Sequence, residues 1–254
     1  MEEELQHNKF KNLNVFITGV SSGIGYAVAK AYDERGAKVF GVDIIQIKAS
    51  KYLSKKFEFF NCEVENYKKM QKIINKIIQK NKKIDILINC AGIIEFKSIE
   101  NNLINLWKKI IDVNLTGTFI SCKIIAPLMK KNKNGSIINV SSRAAKHGGM
   151  NETAYCASKF GVEGLSRSLY VECKKYNVVV NTITPGVPIK TSMSKKTYSL
   201  EKKKIWQDPS NISHAFLHLG LQTKNGINNK YINAWELSKK IKNKYKIEQH
   251  ANNH

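Results

Sequence analysis

The sequence predicts an α/β fold: one doubly wound parallel sheet of about seven strands, ordered 3-2-1-4-5-6-7, with helices on both faces. Three observations predict it. Short apolar runs alternate with amphipathic stretches along most of the chain, the pattern of successive βαβ units. A glycine-rich turn, Thr18-Gly19-Val20-Ser21-Ser22-Gly23-Ile24-Gly25, joins the first apolar run to the first helical one. No linker or low-complexity block divides the 254 residues, so a single domain over 1–254 is expected.

The elements follow in order. Strand-like runs cover 14–18, 38–43, 57–62, 84–89, 136–141 and 178–184, with a weaker one at 230–233. A helix over 27–35 follows the glycine turn and is closed by Arg35 and Gly36. Over 66–81, Met70, Ile73, Ile74, Ile77 and Ile78 repeat at helical spacing with lysines opposite, which is a packing stripe. Long helices are expected over 103–130 and 152–176, the first bending or tightening near Gly117, with Pro127 close to its end. The lysine-rich stretch 187–207 reads as a loop. Only the first few residues and a Lys/Asn/His-rich tail from about residue 242 are candidates for disorder.

Composition narrows the function. At 42% hydrophobic with four prolines the chain is ordinary globular material, and no run of about 18 apolar residues predicts a membrane span. The start, MEEELQHNKF, lacks the basic and apolar segments of a signal peptide, so a cytoplasmic protein is expected. Five cysteines without a C-x-x-C pair read as reduced thiols. His214 and His218 share a helical face but have no third ligand nearby, so no metal is expected. The net charge of +22 suggests nucleic acid, yet only Arg35, Arg143 and Arg167 are arginines among 42 basic residues, and the lysines are scattered. Phosphate-reading surfaces favour the arginine fork, so a solvated basic surface is expected instead. An acidic partner would still meet it faster.

The glycine turn carries the first chemistry. Between a strand and a helix, its glycines permit a tight turn and close backbone approach to a pyrophosphate, which then faces the free N–H groups of a helix N-terminus. Gly19, Ser21, Ser22, Gly23, Ile24 and Gly25 are therefore expected to bind a dinucleotide. Asp43, 18 residues past Gly25, can accept hydrogen bonds from ribose hydroxyls and would repel a 2′-phosphate. Ile44 and Ile45 follow it, and Ser22 precedes Gly23, so no basic residue stands ready for that phosphate. NAD is expected over NADP.

Tyr155 and Lys159 are four apart, on one helical face. A fixed ammonium favours the phenolate and would bring a tyrosine toward a working range for proton transfer. Ser142 lies thirteen residues upstream, at the end of an apolar strand and thus at the carboxyl edge of the sheet.

With these motifs in this order, the chain from about Asn14 to Met193 resembles the short-chain dehydrogenase/reductase superfamily, a Rossmann-like fold, in its TGxxxGIG and Tyr-x-x-x-Lys form. The resemblance implies Tyr155 as general acid and base, Ser142 as partner of the substrate oxygen, and Lys159 on the nicotinamide ribose, lowering the pKa of Tyr155. Asn114 would help hold a relay water. Asn89, Ala91 and Gly92 would lie beside the adenosine, with Cys90 in place of the usual asparagine. Glu63 stands where the family has an aspartate near adenine, and Pro185, Gly186 and Thr191 match the nicotinamide-side loop, with Ser192 an alternative to Thr191.

Candidate substrate contacts are Ile93, Ile94, Arg143, His147, Met150 and Met193, and Trp235 either packs on the sheet or faces a pocket or partner. The expected activity is interconversion of a small-molecule secondary alcohol and a ketone. The alternatives are a 3-oxoacyl-[acyl-carrier-protein] reductase using NADPH and a catalytically silent, dinucleotide-binding redox sensor. The resemblance also implies a homotetramer or homodimer built on the two long helices, and neither nucleic acid nor membrane is expected as partner.

Overall fold

The computed structural model describes residues 9–46 and 53–251. Asn14–Thr18 (β1), Ile86–Asn89 (β4) and Val178–Thr184 (β6) are buried at every position. Central parallel strands are covered on both faces, which is why these segments read as nearly unbroken apolar runs. With Lys38–Asp43 (β2), Phe57–Asn61 (β3), Gly135–Val140 (β5) and Tyr231–Asn233 (β7) they form a seven-stranded sheet ordered β3-β2-β1-β4-β5-β6-β7, every pair parallel. The winding reverses between β1 and β4, and the crevice beyond their carboxyl ends is where such sheets take ligands.

Helices cover both faces. Gly23–Asp33 (α1) packs with Ser213–Gly220 (α8) and Ala234–Ala251 (α9) over a core that includes Val28, Tyr32 and Phe216. Tyr67–Asn81 (α2), Gly117–Asn132 (α4) and Thr153–Cys173 (α5) cover the other face around Met70, Ile74, Ile77 and Ile125. Asn66 starts α2 by accepting the Lys69 N–H at 3.0 Å. Burying each of the α2 side chains contributes about 1.5–3 kcal/mol. Trp235 is partly buried against the α1 side of the core, the sheet-packing alternative.

The stretch expected as one helix over 103–130 is divided. Ile104–Ile111 (α3) and α4 are joined by a π-helical turn, Asp112–Thr116. The helix therefore widens just before Gly117, where bending or tightening was expected, and Pro127 lies inside α4. Gly117 is pressed onto α2's approach, since a Cβ there would stand 2.5 Å from the Val64 side chain. By length and composition, 104–132 is enough to cross a membrane, but more than half of its apolar window is buried against the rest of the protein. In the stretch read as a loop, two short helices form, Ser192–Thr197 (α6) and Leu200–Lys204 (α7). The backbone of α9 runs on to Ala251, across most of the stretch that composition marked for disorder, while the first few residues lie outside the described ones.

Candidate active site

The glycine turn closes tightly on its neighbours. Gly19 has φ +74°, and a Cβ there would stand 2.8 Å from the Ala91 backbone; at Gly25 it would stand 2.0 Å from the Gly19 carbonyl. Ser22 precedes α1 in extended conformation and makes no side-chain cap, so first-turn N–H groups are left to a ligand. Ser21 N–H donates to Asp43 Oδ2 at 2.9 Å and Ile45 N–H to Oδ1 at 3.2 Å, while the Ser21 hydroxyl donates to the Ile45 carbonyl. Asp43 is thereby fixed beside the turn with acceptor capacity to spare. Ile24 packs against the core beneath. An uncapped helix start, a glycine turn without room for side chains and a fixed carboxylate at the next strand end fit a dinucleotide.

Thr18 Oγ1 accepts from Cys90 N at 3.1 Å and Ala91 N at 3.2 Å, tying β1 to the turn after β4. Gly92 brings that turn to the proton-transfer end, where a Cβ would stand 3.3 Å from Asn114 Oδ1 and 3.7 Å from Lys159 Nζ. Asn89 differs from expectation. Its side chain is buried between strands and α4, donating to Asn139 Oδ1 at 2.8 Å and accepting from the Ser121 hydroxyl, so it braces the sheet and does not face the crevice. Glu63 is exposed beyond β3.

At the other end of the crevice, Ser142 follows β5. Its hydroxyl accepts from Ala144 N at 3.2 Å and is hydrogen-bonded to Tyr155. The neighbouring Ser141 hydroxyl is buried with no hydrogen-bond partner, which leaves Ser142 as the serine that meets the phenol. Lys159 is 5% exposed, its Nζ donating to the Val140 carbonyl at 2.9 Å and lying 5.7 Å from the Tyr155 ring centroid. Asn114, wholly buried in the π turn, accepts from Ile93 N at 2.8 Å and donates to the Ile93 carbonyl at 2.9 Å and Ser158 Oγ at 3.0 Å. Its amide clamps the backbone beside the pocket.

The electrostatics correct one expectation. Burial pushes the Tyr155 phenol up to about 12, and the Ser142 hydrogen bond offsets only part of this. Burial also brings the Lys159 ammonium down to about 8. Loss of solvation is the largest influence on the phenol, so Tyr155 holds its proton at neutral pH.

On the β6 side, the Pro185 carbonyl accepts from Trp235 N at 3.1 Å and Gly186 lies against Asn233 of β7. Thr191 caps α6 through Ser194 N at 3.0 Å, and its methyl stands over Gly23, bringing this loop to the glycine turn; Ser192 is exposed. Of the substrate candidates, Ile93 and Ile94 are half-buried, whereas Arg143, His147, Met193 and Met150 are exposed, Met150 at 88%.

Two residues were missed. Tyr231 of β7 donates to the Ser142 carbonyl at 3.0 Å, and half-buried Tyr198 acts electrostatically on Tyr155. Neither carries a local sequence signal, because each contact joins distant segments. His214 and His218 lie together on α8, and among the described residues no three potential ligands cluster around them.

Comparison with known proteins agrees with this fold. Residues 13–202 match the family model described as short chain dehydrogenase. The 3-oxoacyl-[acyl-carrier-protein] reductase FabG of Thermotoga maritima is 34% identical over 186 residues, 71% of this chain and 75% of that one. The NAD-dependent glycerol dehydrogenase of Listeria innocua is 32% identical over 191 residues, 72% and 73% of the two chains. D-threitol dehydrogenase of Mycolicibacterium smegmatis is 34% identical over 178 residues, covering 67% and 68%. Among solved structures, the ligand-free aldohexose dehydrogenase of Thermoplasma acidophilum superposes with a TM-score of 0.78 at 26% identity, covering 90% of this chain and 96% of that one. ElxO with NADP bound gives 0.79 at 24% identity, covering 87% and 96%, a likeness of fold.

Proposed function

This chain belongs to the short-chain dehydrogenase family, NAD(P)-binding oxidoreductases acting on CH–OH groups, and from that premise we propose that it interconverts a secondary alcohol and a ketone with NAD(H). The observation that carries the reading is the meeting of Ser142, Tyr155 and Lys159 at the carboxyl edge of the sheet, beside the turn that bears Gly92.

Gly19, Ser21, Ser22, Gly23, Ile24 and Gly25 hold the pyrophosphate, and Asp43 accepts from the adenosine ribose. Ala91 and Gly92 line the middle of the crevice; Pro185, Gly186 and Thr191 line its nicotinamide end. The nicotinamide, when bound, supplies or takes the hydride. In the reductive direction Ser142 holds the ketone oxygen and Tyr155 gives it the phenolic proton. The Lys159 ammonium stabilises the phenolate left behind, and in oxidation the proton returns to Tyr155.

Asp43 favours NAD, because a 2′-phosphate would meet its carboxylate, and Ile44, Ile45 and Ser22 bring no charge to offset the repulsion. The acyl-carrier alternative draws on the 34% likeness to the Thermotoga maritima reductase and on a basic surface suited to an acidic carrier. Screening ketones and alcohols at the NADH absorbance band tests the proposal. Tyr155→Phe should cut turnover by about 10²–10⁴-fold while cofactor affinity is kept. Retained turnover would remove Tyr155 from this role.

A further inference from the structure

Behind Lys159, one turn further along α5, Glu163 is buried to 8% exposure. Thr182 Oγ1 of β6 donates to its Oε2 at 3.0 Å, but Oε1 is buried with no hydrogen-bond partner. It lies on a cavity of about 200 Å³ that Ser166, Arg167, Thr182, Lys230 and Tyr231 also line. A buried carboxylate with an unsatisfied oxygen is costly, and nothing in core packing calls for one here.

Lys159 and Glu163 are at i and i+4, so they share a helix face. We propose that Glu163 is a positioning residue of the active site, its buried carboxylate acting across one helical turn, without an ion pair, to keep the Lys159 ammonium charged. The inference rests on the catalytic reading of Lys159. Two groups favour the Lys159 ammonium, Cys90 from the turn after β4 and Glu163 from α5 itself. Burial pushes the Cys90 thiol up to about 12, so it is uncharged in the working range and Glu163 supplies the negative charge. Tyr155, also protonated there, faces Lys159 across 5.7 Å without a charge. Around Glu163 itself, Tyr231 from β7 and Arg167 and Lys230 on the cavity wall are the titratable and charged neighbours.

The test reads Lys159 directly. Trace labelling with acetic anhydride across pH, followed by mass spectrometry, gives its titration midpoint in the cofactor-free protein, with surface lysines as internal standards. In Glu163→Gln the midpoint should fall by about one pH unit, and Glu163→Asp should restore most of it. Glu163→Met, which leaves no buried amide, should fall like Gln and serves if Gln does not fold. An unchanged midpoint in a folded Gln or Met variant overturns the inference. Because no turnover is measured, that result stands apart from failure of the catalytic reading, which Lys159→Met with full activity would show.

Discussion

At the scale of the residue, the pair Tyr155 and Lys159 sets the expected pH behaviour. Ketone reduction needs the phenol protonated, which holds up to about 12, and the ammonium charged, which holds only up to about 8. The reductive kcat/KM should therefore fall as pH rises through about 8, and a pH profile of the free enzyme checks this. The same shift has a stability counterpart. Lys159 titrates at about 8 in the fold against 10.5 for the ordinary side chain, so between these values the unfolded chain binds more protons. The Lys159 contribution to stability therefore rises with pH across that window. For the cofactor, the Michaelis constant for NAD should be at least about tenfold below that for NADP, and Asp43→Ser should narrow the gap, since removing the carboxylate relieves repulsion of the 2′-phosphate. A preference for NADP in the unaltered protein would sink that assignment. The motif residues were legible because their chemistry is local: a spacing of four, a glycine turn, an acid at a strand end. The proton affinity of Tyr155 was not, because burial in the assembled fold decides it. Nor was the inward turn of Asn89, whose partners Ser121 and Asn139 come from other elements.

At the scale of the element, the glycine turn is the most constrained piece. Gly25→Ala should destabilise the protein by about 1–3 kcal/mol, since the new methyl meets the Gly19 carbonyl and neither backbone can retreat from α1 or β1. Urea unfolding checks the figure; a loss well below 1 kcal/mol would mean the turn opens freely. Strand and helix placement was legible nearly throughout, because parallel strands buried on both faces and amphipathic helices leave different periods. The π turn at 112–116 escaped notice. It is held by the two bonds between Asn114 and the Ile93 backbone, and residues 21 apart leave no mark in a local pattern.

At the scale of the whole molecule, apolar side chains remain uncovered on α4 and α5, with Phe119 45%, Phe160 50% and Val171 60% exposed. Patches of this kind mark interaction surfaces. We expect a homodimer or homotetramer through these helices, and Phe119→Lys combined with Phe160→Glu should give monomers by light scattering. Each copy carries +22, so association should tighten as salt screens the repulsion. Loosening with salt, or a monomer throughout, would refute this. The hydrogen bonds from Tyr231 to the Ser142 carbonyl and from Trp235 to the Pro185 carbonyl have a temporal consequence. A growing polypeptide exposes every reacting group long before β7 has left the ribosome. Its chemistry must wait until that last strand arrives to brace them, and a proteolytic nick just ahead of Tyr231 would silence the enzyme without removing any group that touches substrate.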